Sequence, residues 1–185
     1  YRSADNGATW APSLSGLNAE QVRGLTIDPT TVDSDPFTAE NFTVYAAGRS
    51  AAIPDSSALD GGLYKSTDGG NSWATIDNGI ALVNGHRDMG TARAIVADPR
   101  SCAAPPPSGP CATGSGGLQT LYAIGSGRPD FSGPGLPMRS ARIYKSTNAG
   151  ASWTASESGL PLPQDLDPGA GISFSYNIGI ALVID

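Results

Sequence analysis

The 185-residue chain is long enough for a domain with its own core, and its 24 glycines and 15 prolines favour short strands joined by many turns. A net charge of −6, with 11 Lys and Arg scattered singly, leaves no basic face for phosphates and excludes nucleic acid as a partner. No run of about 18 apolar residues occurs, which excludes a membrane-spanning helix, and a signal peptide, if there is one, has been removed or lies upstream.

The chain opens on Tyr1-Arg2-Ser3-Ala4-Asp5-Asn6-Gly7-Ala8-Thr9-Trp10, a phrase that returns twice. Val22-Arg23-Gly24-Leu25-Thr26-Ile27-Asp28-Pro29 follows and reads as a strand stopped by Asp-Pro. The segment Thr30 to Glu40 is a loop, and Asn41-Phe42-Thr43 is an N-glycosylation sequon. Thr43 to Gly48 is rich in β-branched and aromatic residues and predicts a buried strand. After a loop from Arg49 to Gly61, the opening phrase recurs as Leu63-Tyr64-Lys65-Ser66-Thr67-Asp68-Gly69-Gly70-Asn71-Ser72-Trp73.

The same order then repeats. A loop from Asn78 to Gly90 leads to a strand, Ala92-Arg93-Ala94-Ile95-Val96-Ala97-Asp98-Pro99. The next loop, Arg100 to Gln119, holds Cys102 and Cys111 around a Pro- and Gly-rich segment, a spacing that suits a disulfide closing a small loop, the alternative being two free thiols. The strand from Thr120 to Gly125, the loop from Ser126 to Ser140 and the phrase Ile143-Tyr144-Lys145-Ser146-Thr147-Asn148-Ala149-Gly150-Ala151-Ser152-Trp153 complete the second unit. Beyond the loop from Gly159 to Asn177, Ile180-Ala181-Leu182-Val183-Ile184-Asp185 matches the first strand of each unit.

The shared pattern, Ser-x-Asp/Asn-x-Gly-x-x-Trp, predicts a β-hairpin. Ser3, Ser66 and Ser146 end its first strand. Asp5, Asp68 and Asn148 bond turn amides, while Gly7, Gly70 and Gly150 take positive φ. Trp10, Trp73 and Trp153 are expected to bury their rings against the hairpin.

Each unit is therefore four strands, and four-stranded units repeated about an axis are the propeller solution. On these motifs the sequence resembles the Asp-box, or BNR-repeat, β-propeller family, which includes sialidases, xyloglucan-cleaving glycoside hydrolases and sortilin-type receptors. The resemblance implies an all-β fold built of blades of four antiparallel strands with Asp-box hairpins. The expected organisation is a partial propeller: the end of one blade at 1–16, complete blades at 21–78 and 91–158, and the first strand of another at 178–185. The remaining blades are expected in the same chain or in another copy, since uncovered strand edges and apolar faces invite association.

Enzymes of this family use the face opposite the Asp-box turns, where the long loops after the second and fourth strands lie. Those loops hold the only His, in His86-Arg87-Asp88, together with Arg128, Asp130, Phe131 and Tyr176. Glycoside hydrolysis needs two carboxylates across a sugar bond. Asp88, beside His86 and Arg87, is the candidate acid, with Asp130 or Asp167 as its partner. The alternative for Asp88 is a loop carboxylate paired with Arg87. His86, Arg87, Arg128, Phe131 and Tyr176 are candidate ligand contacts, the aromatics for stacking on sugar rings.

A sialidase would need an arginine cluster, to which Arg49, Arg128 and Arg139 would be the contributors, but the Arg-Ile-Pro motif is absent. No cofactor pattern is present. His86 lies at no zinc-ligand spacing from either cysteine. Asp165-Leu166-Asp167-Pro168-Gly169 begins like a calcium loop but lacks the later ligands, and Asp33-Ser34-Asp35 reads as a polar turn. The disulfide spacing and the sequon point to a secreted or extracytoplasmic protein. The expected function is a binding or structural module for a polysaccharide or protein ligand. The alternatives are a xyloglucanase-type hydrolase and a self-assembling structural protein.

Overall fold

The computed structural model describes residues 1–19, 21–32, 41–49, 62–83, 86–104, 106, 108–125 and 142–158. Two four-stranded antiparallel sheets dominate. The first runs β1 (Gln21–Ile27), β2 (Val44–Arg49), β3 (Gly62–Ser66) and β4 (Ala74–Thr75), hydrogen-bonded in chain order. A small hairpin, β5 (Leu82–Val83) with β6 (His86–Arg87), lies within the segment Asn78 to Gly90, where the sequence predicts a loop. The second sheet repeats the first as β7 (Ala92–Ala97), β8 (Leu121–Gly125), β9 (Arg142–Ser146) and β10 (Thr154–Ala155). The first strands stop where the sequence predicts, because the carboxylate of Asp28 caps the 3-10 turn Pro29–Thr31.

Register repeats along with order. Val44 pairs with Ser66 and Leu121 with Ser146, while Tyr45 opposes Lys65 and Tyr122 opposes Lys145. Both first strands carry a bulge at the same place, between Val22 and Gly24 and between Ala92 and Ala94. In β2 the five residues from Val44 to Gly48 are all buried, as a central strand with both faces covered requires.

The main core lies between the sheets. Tyr45, Ala47 and Leu63 of the first sheet meet Ala92, Ile95, Leu121, Ala123 and Tyr144 of the second. Ile80 and Met89, from the connecting segment, fill the space with Trp153. A smaller cluster joins Leu118 to the Cys102–Cys111 disulfide. No helix among the described residues is long and apolar enough to cross a membrane.

The repeated turn is a closed hydrogen-bond circuit. In the second copy the Ser66 hydroxyl accepts from Gly70 N at 2.7 Å and donates to Asp68 Oδ1 at 2.7 Å. Asp68 also accepts from Ser72 N at 2.9 Å and from Ser72 Oγ at 2.5 Å. The first copy repeats this with Ser3, Asp5, Gly7 and Thr9. The third replaces Asp by Asn148, whose Nδ2 donates to Ser152 Oγ at 2.8 Å, reversing one bond while keeping the circuit. Gly7, Gly70 and Gly150 have φ of 88°, 91° and 86°, which explains glycine there.

The tryptophans depart from expectation. Only Trp153 is fully buried, at 2 % exposure; Trp73 is half-buried and Trp10 is 63 % exposed. The cover that distinguishes the copies comes from the preceding unit. Trp153 donates from Nε1 to Ile76 O, and Trp73 donates from Nε1 to Ser13 Oγ at 3.2 Å. Backbone bonds run in parallel, from Trp73 N to Ser15 O and from Trp153 N to Asn78 O, both 2.9 Å. Among the described residues Trp10 receives no such cover.

Truncation should therefore separate the copies: Trp153→Ala should cost about 3–5 kcal/mol and Trp10→Ala less than about 1 kcal/mol in urea unfolding. The turn carboxylates should also make stability acid-sensitive. Hydrogen bonds from Thr9 and Ser3 hold Asp5 down at about 2, and those from Ser66 and Ser72 hold Asp68 at about 2. A depressed folded-state pKa stabilises above the unfolded value of 3.8 and is lost as pH falls toward 2. Melting temperature should drop over that window, and Asp68→Asn, imitating Asn148, should reduce the drop.

Candidate functional site

Asp88 sits in the tight turn that carries the chain from β6 into β7. Its amide donates to Ala81 O at 2.8 Å, and Gly90 N closes the turn on Arg87 O at 2.9 Å with Gly90 at φ 64°. The turn drives the side chain inward, leaving Asp88 3 % exposed beside Met89 at 1 %. A carboxylate removed from water requires partners.

The partners come from the second sheet. Arg142, which opens β9, places Nη2 2.5 Å from Asp88 Oδ2 and Nη1 2.7 Å from Glu157 Oε2. The buried Tyr144 hydroxyl, 3.4 Å away, donates to the same Asp88 oxygen. Burial, and then the Asp88 charge, push the Tyr144 phenol upward, so it stays a neutral donor. Arg87 forms a separate pair with Asp77 at 2.5 Å. Sequence reasoning identified Asp88 but missed Arg142 and Tyr144, which reach it from more than fifty residues away, and Glu157, which pairs with Arg142.

Of the other candidate residues, His86 pairs through its backbone with Val83. Arg128, Asp130, Phe131 and Tyr176 lie outside the described residues, as do Asp167 and the two acidic loop motifs. Among the described residues, the Asp88 and Glu157 carboxylates are both held by the Arg142 guanidinium, and no group of three or more metal-ligating side chains is found.

At the opposite end of the sheets, a cleft of about 540 Å³ opens between the loops that follow β1 and β7. Asp28, Thr30, Tyr45, Lys65, Leu118 and Gln119 contribute to its walls. Asp28 is 1 % exposed and fully engaged, accepting from Thr30 N at 3.0 Å, Thr30 Oγ1 at 2.6 Å and, across the units, Leu118 N at 2.7 Å. The disulfide pins the loop that supplies Leu118, and Gly114 N reaches back to Thr30 O at 2.7 Å.

Lys65 stands 5.4 Å from the Tyr45 ring centroid and donates to Ala149 O at 3.3 Å. Burial lowers its pKa, with Asp28 opposing. Lys145 stands over Tyr122 at 5.3 Å in the second unit, so this pair belongs to the repeated scaffold.

Because Asp88 is buried, Arg142→Met should leave it uncompensated and cost about 3–5 kcal/mol, with Asp88→Leu in the same chain recovering part of that loss on urea unfolding. No protein-family model matches the chain, and no curated protein matches it.

Proposed function

We propose that the chain is part of a secreted Asp-box β-propeller that acts as a binding and structural module for a polysaccharide. The observation that carries this reading is the repeated docking of one unit on the one before it. Trp73 bonds to Ser15 and Trp153 to Asn78 through equivalent backbone atoms. Gly16 and Gly79 sit behind those contacts, where a Cβ would lie 2.0 Å from Trp73 O and 2.4 Å from Trp153 O. A contact that repeats by one unit generates a ring or spiral of units.

In this reading the blades are 21–78 and 91–158, with a blade end at 1–16 and a further first strand at 178–185, the last outside the described residues. The outer side of β1 supports additional blades, from this chain or another. Leu25 and Ile27 are 62 % and 52 % exposed, whereas Ile95, the counterpart of Leu25, is 2 % exposed beneath β1. The same surface supports self-assembly as the route by which blades from other copies would close the array. The disulfide supports an oxidising, extracytoplasmic setting.

Binding is favoured over hydrolysis because the two buried carboxylates are engaged in structure: Asp88 with Arg142, and Asp28 with backbone amides. Affinity electrophoresis of the intact chain through xyloglucan, mixed-linkage β-glucan and pectin tests the reading, with reducing sugar measured in parallel. Retarded migration without sugar release is the expected outcome. Sugar release abolished by Asp88→Asn would establish the hydrolase instead, and unretarded migration through every polysaccharide would leave a protein ligand as the module's target.

A further inference from the structure

The cleft between the loops that follow β1 and β7 is not accounted for by the contacts that join the two units. Its volume of about 540 Å³ falls within the roughly 300–1,000 Å³ of small-ligand sites. It lies at the end of the sheets that carries the repeated turns, since Ala149 of the third turn forms part of its wall. One half of it is repeated scaffold: in the second unit Asp98 has the place of Asp28, and Lys145 over Tyr122 that of Lys65 over Tyr45. The other half has no counterpart. The loop after β7 adds the stretch Thr113-Gly114-Ser115-Gly116-Gly117, whereas the loop after β1 has no glycine in its sequence. Gly114, Gly116 and Gly117 take φ of 80°, 91° and 81°, a path that glycine permits.

That added wall is fixed in advance. The disulfide ties its start back to Cys102, Cys111 N donates to Pro99 O at 2.7 Å, and Gly114 N donates to Thr30 O at 2.7 Å. Leu118 N donates to Asp28 Oδ2 at 2.7 Å, and Gln119 Nε2 donates to Gly117 O at 3.1 Å. A preordered wall lowers the entropic cost of binding. Asp28 and Lys65 are the charged residues of the lining, and their opposite charges leave it without net charge, which disfavours a strongly ionic ligand. Lys65 directs one of its three ammonium donors to Ala149 O at 3.3 Å. Asn41 and Gln119 add carboxamides and Thr43 a hydroxyl, groups that both donate and accept. A charge-balanced lining of two-way hydrogen-bonding groups matches sugar hydroxyls, which have the same double capacity.

We infer that this cleft is a saccharide site, taking a short stretch of a neutral polysaccharide between the repeated scaffold and the disulfide-pinned wall. The ligand class rests on the polysaccharide-binding reading above; the site rests on the cleft and its preformed wall. It puts the ligand on the face of the repeated turns, not on the opposite face where enzymes of the family resembled act.

Titration calorimetry of the full chain with neutral cellotriose and mannotriose and with acidic trigalacturonate tests the site, using the wild type, Lys65→Met, Lys145→Met and Asn41→Ala. Lys65→Met and Lys145→Met remove the same ammonium–ring pair from the two units, so the difference between them isolates the cleft. A neutral trisaccharide should bind the wild type and Lys145→Met alike, and about ten-fold more weakly to Lys65→Met, the loss expected for one charge-assisted hydrogen bond. Asn41→Ala should weaken it about three- to ten-fold, and because Asn41 is exposed its variant stays informative if Lys65→Met melts early. Affinity should hold as salt rises from about 50 to about 500 mM, as for an uncharged ligand. Neutral-sugar binding that ignores both cleft substitutions overturns the site. Trigalacturonate binding as tightly as the neutral sugars overturns the neutral ligand while leaving the polysaccharide module standing. Binding of no trisaccharide overturns this inference, and the electrophoresis above then decides the module separately.

Discussion

The structure depends on one repeated main-chain contact, the hydrogen bond from the amides of Trp73 and Trp153 to a carbonyl of the unit before. This contact sets where the second sheet stands, and the side chains follow. The Trp153 indole settles on Ile76, the β1 and β7 bulges come together, and Asp28 reaches Leu118 across the junction. Glycine is required behind the contact because Gly16 and Gly79 have φ of 76° and 86° and leave no room for a Cβ. The turn circuit serves the same purpose one step earlier. It fixes the tryptophan amide by satisfying the turn's donors within eight residues, independently of what packs outside.

Charge is distributed by the same logic. Burying a carboxylate is costly unless its oxygens are filled, and the two buried aspartates solve this differently. Asp28 takes three donors from one loop and the next unit, so it acts as a clamp between units. Asp88 takes Arg142 and Tyr144 from the second sheet and anchors the connection between the sheets. Both carboxylates are engaged in contacts that hold the units and the connection between them.

Much of the fold was legible because the chain repeats itself. The Ser-x-Asp/Asn-x-Gly-x-x-Trp phrase, the Asp-Pro stops and the apolar strands between them give four strands per unit, and the sheets have those strands in that order. The cysteine spacing likewise gave the disulfide. The β5–β6 hairpin was not legible, because two-residue strands of Leu82–Val83 and His86–Arg87 carry no periodicity to read. Tryptophan burial was misread because a local motif was credited with a contact that belongs to a neighbour. Trp10 has the same phrase as Trp153 and is exposed. The glycine six residues after Trp10 and again after Trp73 was the available signal for that contact. Arg142 as the partner of Asp88 had no signal at all in a single sequence, because the pairing arises only when β9 is brought beside the β6–β7 turn.

Repetition also helps separate scaffold from site. The Lys65–Tyr45 and Lys145–Tyr122 pairs have equal geometry and equal register, and each is accounted for within its own sheet by the attraction of an ammonium for a ring. Arg23 and Arg93 repeat just as faithfully, as the extra residues of two bulges that abut across the junction. A repeated feature that lowers the energy of each unit belongs to the scaffold.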